Sequence, residues 1–118
     1  MSPFNLDIIK HIMARITGSQ SKIGLDQEHF GNAEAVQYYN RFKVNRIDLS
    51  IHPSLDFSGI HKIEKMIVNL TTNEEISLSE VEEILSQIKC QFDFDFNMIY
   101  GHTIDNNTQD FIIDLFIY

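Results

Sequence analysis

The chain has 118 residues and a mass of 13.7 kDa, the size of a single domain at roughly 100–200 residues per domain. Hydrophobic residues make up 43% and charged residues 22%, a balance typical of a globular protein and not of a disordered one. No apolar run reaches the roughly 18 residues that a membrane-spanning helix needs, and the first ten residues lack the basic start of a secretory signal. The single cysteine, Cys90, cannot form an internal disulfide. We therefore expect a cytoplasmic protein without direct membrane insertion.

The net charge of −8 is concentrated in the second half of the chain. Residues 1–70 carry eight Lys or Arg and seven acids, a net of +1, whereas residues 71–118 carry ten acids and only Lys89, a net of −9. This balance opposes nucleic-acid binding, which needs a basic patch. The split favours contact between opposite faces of neighbouring molecules.

In the first half, Asn5 or Asp7 can cap a helix that ends near Gly18. Its apolar residues follow helical spacing: Ile8, Ile9, Ile12, Met13 and Ile16. A short strand is predicted over 21–25, a helix over 32–42 from the spacing of Ala33, Val36 and Tyr39, and a long connection over 44–60.

The second half has stronger signals. The β-branched, apolar run 65–71 predicts a buried strand. Ser77 and Glu80 form a capping box before a helix whose stripe is Leu78, Val81, Ile84, Leu85 and Ile88. Strands are predicted over 97–104 and 111–118, joined by a turn at 105–108. The whole chain, residues 1–118, is thus predicted to be one α+β domain of two layers, a mixed four-stranded sheet with helices on one face.

The sequence shows no established catalytic motif. Its five glycines are isolated, so no phosphate-binding loop is present, and none of the five histidines has a partner at the spacing of a metal site. Cys90 precedes an acidic stretch, which disfavours a reactive thiolate. The segment FDFDFN at 92–97 is read either as a recognition edge or, preferably, as the entry to a strand with three buried aromatic rings.

Residues 59–118 resemble the C-terminal domain of FtsZ, the tubulin-like cell-division GTPase. In that family a strand ending in a VNIT-like sequence matches 67–71, an LTLFEVNEA-like segment matches 76–84, and a DANIIFGAVID-like strand matches 95–105. The likeness thins upstream, where 23–24 and 31–35 are similar to the family's glycine-bearing strand and next helix, and 38–51 reads as an insertion.

Asn5-Leu6-Asp7 is similar to the N-x-D of the family's catalytic loop, which opens the helix after the GTP-binding domain. The resemblance implies that residues 1–17 are this loop and connecting helix, with the GTP-binding domain absent from the chain. It implies that Asn5 contacts the GTP of a neighbouring subunit, and that Asp7 acts there as an activating acid. The family's second acid is replaced by Lys10, which predicts slow or no hydrolysis. No cofactor is expected on this domain itself.

Three functions follow. The first is the C-terminal domain of a filament-forming FtsZ-like protein, whose partners are further copies or tubulin-like filament subunits. The second is a stand-alone adaptor or capping domain without GTPase activity. The third is a small trimeric enzyme similar to one class of chorismate mutase, which would need clustered arginines, whereas this chain has only Arg15, Arg41 and Arg46.

Overall fold

The computed structural model describes residues 6–18, 21–23, 25, 27–52, 57, 59–74 and 76–118. These residues form a mixed β-sheet flanked by α-helices, which confirms the predicted α+β class. The sheet has six strands, four of seven residues each and two short ones at its edges. The predicted four-stranded mixed sheet corresponds to β1, β4, β5 and β6.

Helices and strands are interspersed along the chain. In order they are α1 (Leu6–Gly18), β1 (Ser21–Ile23), α2 (Gln27–Phe30), a 3₁₀ turn (Ala33–Ala35), β2 (Tyr38–Val44), β3 (Ile51–His52), β4 (Met66–Thr72), α3 (Leu78–Lys89), β5 (Met98–Ile104) and β6 (Phe111–Ile117). The predictions for α1, β1, β4, the capping box of α3, β5 and β6 are confirmed. In the capping box, the Ser77 hydroxyl accepts from the Glu80 N–H, and the Glu80 carboxylate accepts from the Ser77 N–H.

Strand β4 occupies the middle of the sheet, whose order is β1-β5-β4-β6-β2-β3. It pairs in parallel with β5 and antiparallel with β6, and all seven of its residues are buried. The predicted turn therefore does not join a hairpin, since β4 lies between β5 and β6. A strand whose residues are mostly apolar and are all buried gains most by lying where neighbouring elements cover both its edges and both its faces.

The sheet is covered on both faces, so the predicted two-layer arrangement with helices on one face is wrong. Val81, Ile84 and Ile88 of α3 pack on one face, in the cluster that holds Val68 and Leu115. The buried residues of α1 pack in a second cluster, which holds Ile67 and Phe116. Consecutive residues of a strand point to opposite faces. Because β4 and β6 are apolar at consecutive positions, each face needs its own cover.

The predicted helix over 32–42 is also wrong. Asn32 caps only the short 3₁₀ turn, and the chain then extends into β2, which pairs with β6 along its full length. Phe42 and Val44 are buried while Arg41 and Lys43 are exposed, an alternation with the period of a strand. Pairing with β6 outweighs the apolar spacing that favoured a helix. The predicted connection 44–60 contains the strand β3, and part of it lies outside the described residues.

Candidate functional site

Helix α1 carries the described part of the predicted site and is anchored on the sheet by one face. Its buried residues are Ile9, Ile12, Met13 and Ile16, which repeat at the spacing of a single helical stripe. Ile8, predicted to belong to this stripe, is instead 56% exposed. Packing of the middle of the helix against Ile67 and Phe116 fixes where its N-terminal end lies.

Asp7 and Lys10 lie on the outer side of α1, and both are exposed. Their separation of three residues places them next to each other on the helix surface. Asp7 is in the first turn, where the helix dipole favours a negative charge. Asn5, the predicted nucleotide contact, lies outside the described residues. Of the three predicted site residues, the structure describes Asp7 and Lys10, and both lie near the N-terminal end of the anchored helix α1.

Beside Lys10, an open groove of about 310 Å³ runs between α1 and the segment that contains α2 and the 3₁₀ turn. We call it the α1 groove. Its lining includes Lys10, Met13, Ala14, Phe30, Gly31 and Ala33. Gly31 has a φ of +56°, which glycine adopts without strain. The Nζ of Lys65 lies beside Gly31, 3.8 Å from the position that a Cβ would take there. It donates a 2.6 Å hydrogen bond to the carbonyl of His29. The groove therefore combines apolar side chains with the polar side chains of Lys10, Thr17 and Asn32.

Beneath α1, the sheet carries a buried carboxylate that the sequence reading missed. Asp114 is 2% exposed, and its Oδ1 accepts a 2.6 Å hydrogen bond from the Tyr39 hydroxyl. The Nε of Arg41 lies 3.7 Å from the same oxygen, and Arg15 adds a more distant positive charge. Burial raises the pKa of Asp114, although Tyr39 and the two arginines oppose the shift. The sequence signal that could have pointed to this buried carboxylate is the single charged residue in the otherwise apolar segment FIIDLFIY.

A second polar pair lies on the α3 face of the sheet. His102 is 2% exposed, and its Nε2 lies 2.8 Å from the Thr72 hydroxyl. His102 is therefore a paired polar residue of the core. Among the residues that the structure describes, no three His, Cys, Asp or Glu side chains are placed to hold a metal ion.

The FDFDF segment is a loop before β5, not part of a strand. The rings of Phe92, Phe94 and Phe96 are half-buried and contact one another at centroid distances of 5.2–6.2 Å, while Asp93 and Asp95 are exposed. The rings also pack against the core beneath α3. The three aromatic side chains pack on the core as expected, but they are half-buried where burial was predicted, and they lie in the loop that leads into β5.

Comparison with protein families gives a match to the model of the FtsZ family, C-terminal domain, over residues 30–117. The match spans three quarters of the chain and includes β2, β4, α3, β5 and β6. The chain belongs to the FtsZ family. The resemblance drawn from 59–118 is thereby confirmed.

Within this FtsZ-family domain, α1 lies before the matched region, so Asp7 and Lys10 are not covered by the match. No helix in the described ranges has both the length and the apolar content required to cross a bilayer.

The three arginines of the FtsZ-family domain do not form the single cluster that the trimeric-enzyme hypothesis requires. Arg15 and Arg41 line a narrow cavity of about 70 Å³ together with Asp114. Arg46 instead donates to the carbonyl of Gln109 at 3.0 Å and contacts the carboxylate of Glu74 at 3.4 Å. Two of the three arginines therefore lie beside the carboxylate of Asp114, and the third lies elsewhere.

Proposed function

We propose that this domain supports head-to-tail assembly of an FtsZ-like filament and presents the N-terminal end of α1 to the GTP site of the next subunit. The observation that carries the proposal is the position of Asp7 and Lys10, which are exposed at the end of a helix anchored by four buried side chains. A group that acts on a neighbour's substrate must be held in place by its own fold. Membership of the FtsZ family supplies the class of partner.

In this arrangement the two side chains have different chemical roles. The carboxylate of Asp7 would orient and polarise the water that attacks the terminal phosphate of the neighbour's GTP. The ammonium group of Lys10 would pair with phosphate oxygens, since it has no lone pair with which to orient a water as an acceptor. We therefore expect the interface to bind GTP-loaded subunits and to hydrolyse the nucleotide slowly. Asn5 would contact the nucleotide itself.

The proposal is tested by adding the purified chain to a polymerising FtsZ-family protein. We expect the chain to occupy exposed GTP ends and to lower the amount of polymer that sediments. The Asp7→Asn variant should weaken this effect, whereas Asp93→Asn removes an exposed carboxylate in a distant loop and serves as the matched control. Unchanged polymer at a several-fold molar excess of the chain would contradict the proposal.

The role of Lys10 is tested in a fusion of this chain to the GTP-binding domain of a polymerising family member. Lys10→Asp restores a carboxylate three residues after Asp7, and we expect phosphate release to rise by about tenfold or more. Lys62→Asp makes the same charge change at another exposed position. Equal turnover in the fusion before and after Lys10→Asp would refute the assigned role of this lysine.

The setting in which the domain acts follows from the mass of the native gene product on an immunoblot. A band heavier by roughly 150–200 residues, the span of another domain, would place the GTP-binding half in the same chain. A band at 13.7 kDa would instead favour the adaptor or capping function, with any GTP contact made only to another protein.

A further inference from the structure

A narrow cavity lies between the C-terminal half of α1 and the sheet, across the buried stripe of the helix from the α1 groove. Its walls combine two arginines with apolar, hydroxyl and carboxyl side chains, in the set Ile12, Arg15, Ile16, Arg41, Thr71 and Asp114. Its volume of about 70 Å³ is several times the space that one water molecule requires. The cavity therefore has room for a small ligand of a few heavy atoms.

Asp114 is the buried charged group of this cavity. It lies 2% exposed on β6, in register with Asn69 of β4 on one side and with Arg41 of β2 on the other. The Arg41 side chain is 36% exposed, and its Nε lies 3.7 Å from the Asp114 carboxylate. Arg15 of α1 is exposed and acts on the same carboxylate from a greater distance. Two cationic side chains from different elements therefore extend from one buried acid to the protein surface.

The two arginines carry more positive charge than the buried acid neutralises. Lys43, two residues beyond Arg41 on β2, is paired with Asp110 at 3.2 Å and adds no net charge. The charged groups that line the cavity thus have a net charge of +1 when Asp114 is ionised and +2 when it is protonated. Each guanidinium offers five N–H donors, and of these the Nε of Arg41 is the one that lies close to Asp114. Most of these donors are therefore left for a ligand.

We infer that this cavity binds a small oxyanion, such as inorganic phosphate or sulfate, between the guanidinium groups of Arg15 and Arg41. The planar fork of an arginine matches two oxygens of such an anion. The Thr71 hydroxyl accepts from the Nδ2 of Asn69 at 3.5 Å, so its own hydrogen can be donated to a ligand in the cavity. The inference goes beyond the proposed function, because it needs neither a nucleotide nor a second copy. Arg15 also lies eight residues after Asp7, roughly 12 Å along the helix.

The carboxyl of Asp114 makes the affinity for an anion depend on pH. When it is ionised it repels the anion, and when it is protonated the two arginines act on the anion alone. The groups that face it are Tyr39 and Arg41 from β2, Arg15 from α1 and Asn69 from β4. Burial raises the pKa of the Tyr39 hydroxyl well above its ordinary range, the arginines stay charged, and the amide does not titrate. Oxyanion binding should therefore be accompanied by proton uptake on Asp114 and should weaken as the pH rises.

A sulfate titration of the purified chain, followed by NMR on the arginine Nε–H signals, tests the inference. Chloride keeps the ionic strength constant, so that general screening of charge does not change along the titration. We expect saturable shifts of the Arg15 and Arg41 signals, and Arg15→Gln and Arg41→Gln should each weaken the affinity by about tenfold. Arg46→Gln is the matched control, because Arg46 is also exposed and instead contacts Glu74. Shifts that grow linearly with sulfate, or equal affinities in Arg15→Gln and Arg46→Gln, would overturn the site.

Repeating the titration at several pH values tests the role of Asp114. Sulfate stays a dianion between about pH 5.5 and about pH 8, so a change in affinity over this range reports a group of the protein. We expect the affinity of the unchanged chain to fall by about threefold or more as the pH rises. His11→Gln, which removes a titratable group one turn before Arg15, should keep this fall. Asp114→Asn should abolish it and bind sulfate more tightly at about pH 8. An affinity that does not change with pH in the unchanged chain, or a fall that His11→Gln abolishes, would overturn the coupling to Asp114.

Discussion

The hydroxyl of Tyr39 on β2 donates a 2.6 Å hydrogen bond to the buried carboxylate of Asp114 on the neighbouring strand β6. Together with Arg41 and Arg15, it offsets the cost of burying a charge beneath α1. The same burial and the negative charge of Asp114 raise the pKa of the Tyr39 hydroxyl well above its ordinary range. The tyrosine hydroxyl therefore stays protonated, and remains a donor, at pH values at which a free tyrosine would ionise.

Removal of this donor should destabilise the domain. We expect Tyr39→Phe to lower the free energy of unfolding by about 1–3 kcal/mol, because a buried acceptor loses a partner. Tyr100→Phe is the matched control, since burial alone raises the pKa of Tyr100 to about 12. Urea unfolding of both variants measures the difference. Equal losses in the two would show that ring packing, and not the bond to Asp114, stabilises β2 on β6.

Asp114 should also make stability depend on pH. Because burial raises the pKa of this carboxyl in the folded state, the folded chain binds its proton more tightly than the unfolded chain, whose aspartates titrate near about 3.9. The contribution of Asp114 is fully present below that value and is lost as the pH rises through the folded pKa. Asp114→Asn should remove this fall, which unfolding at pH values from about 4 to about 8 measures. A profile parallel to that of the unchanged chain would contradict the assignment.

Gly101 on β5 is required for close packing. A Cβ there would lie 2.5 Å from the Cγ of Leu25 and 2.9 Å from the Oδ1 of Asn69. We expect Gly101→Ala to cost about 1–3 kcal/mol, because Leu25 and Asn69 are both buried and must move. At Gly59 a Cβ meets nothing within 4 Å, so Gly59→Ala is the control. Thermal unfolding compares the two, and equal melting temperatures would contradict the packing argument.

The capping box of α3 should be detectable through the titration of Glu80. Hydrogen bonds from the Ser77 backbone N–H and then its hydroxyl lower the pKa of Glu80. The contribution of Glu80 is therefore present above the unfolded pKa and is lost as the pH falls through the folded pKa. Ser77→Ala should raise the pKa of Glu80 in an NMR titration and cost about 1 kcal/mol of stability. Ser79→Ala, two residues further on, is the control: it should neither raise the pKa of Glu80 nor lower the stability.

The amide of Gln87 should determine how firmly the turn 45–50 between β2 and β3 is held. Gln87→Leu keeps a similar size but removes the hydrogen bonds to the Leu49 carbonyl and from the Ile51 N–H, and we expect a loss of about 1–3 kcal/mol. Amide exchange of the Ile51 N–H should accelerate with it. Gln91→Leu, at an exposed position just after α3, is the control. Unchanged exchange in Gln87→Leu would show that the turn holds its shape without α3.

The candidate site was predictable only in part. Asp7 and Lys10 are proposed from the resemblance to the N-x-D loop and the replaced acid after it, and their exposed side of α1 follows from the buried stripe of Ile9, Ile12 and Ile16. Asp114 was missed because a single acid in an apolar strand is compatible with either an edge or a core position. Its burial became evident only when β6 was placed between β4 and β2.

Local patterns by themselves determined α3, with its capping box and apolar stripe, the strands β4, β5 and β6, and the likeness to FtsZ. These features depend on residues close together in the sequence, so a stretch of a few helical turns or one strand is enough to predict each of them. Only the tertiary structure decided that 38–44 is a strand, that β4 separates β5 from β6, that helices cover both faces, and that Arg15 and Arg41 line one cavity with Asp114. Each of these depends on which distant segment lies alongside, and residue spacing records which side of an element is apolar without recording what covers it.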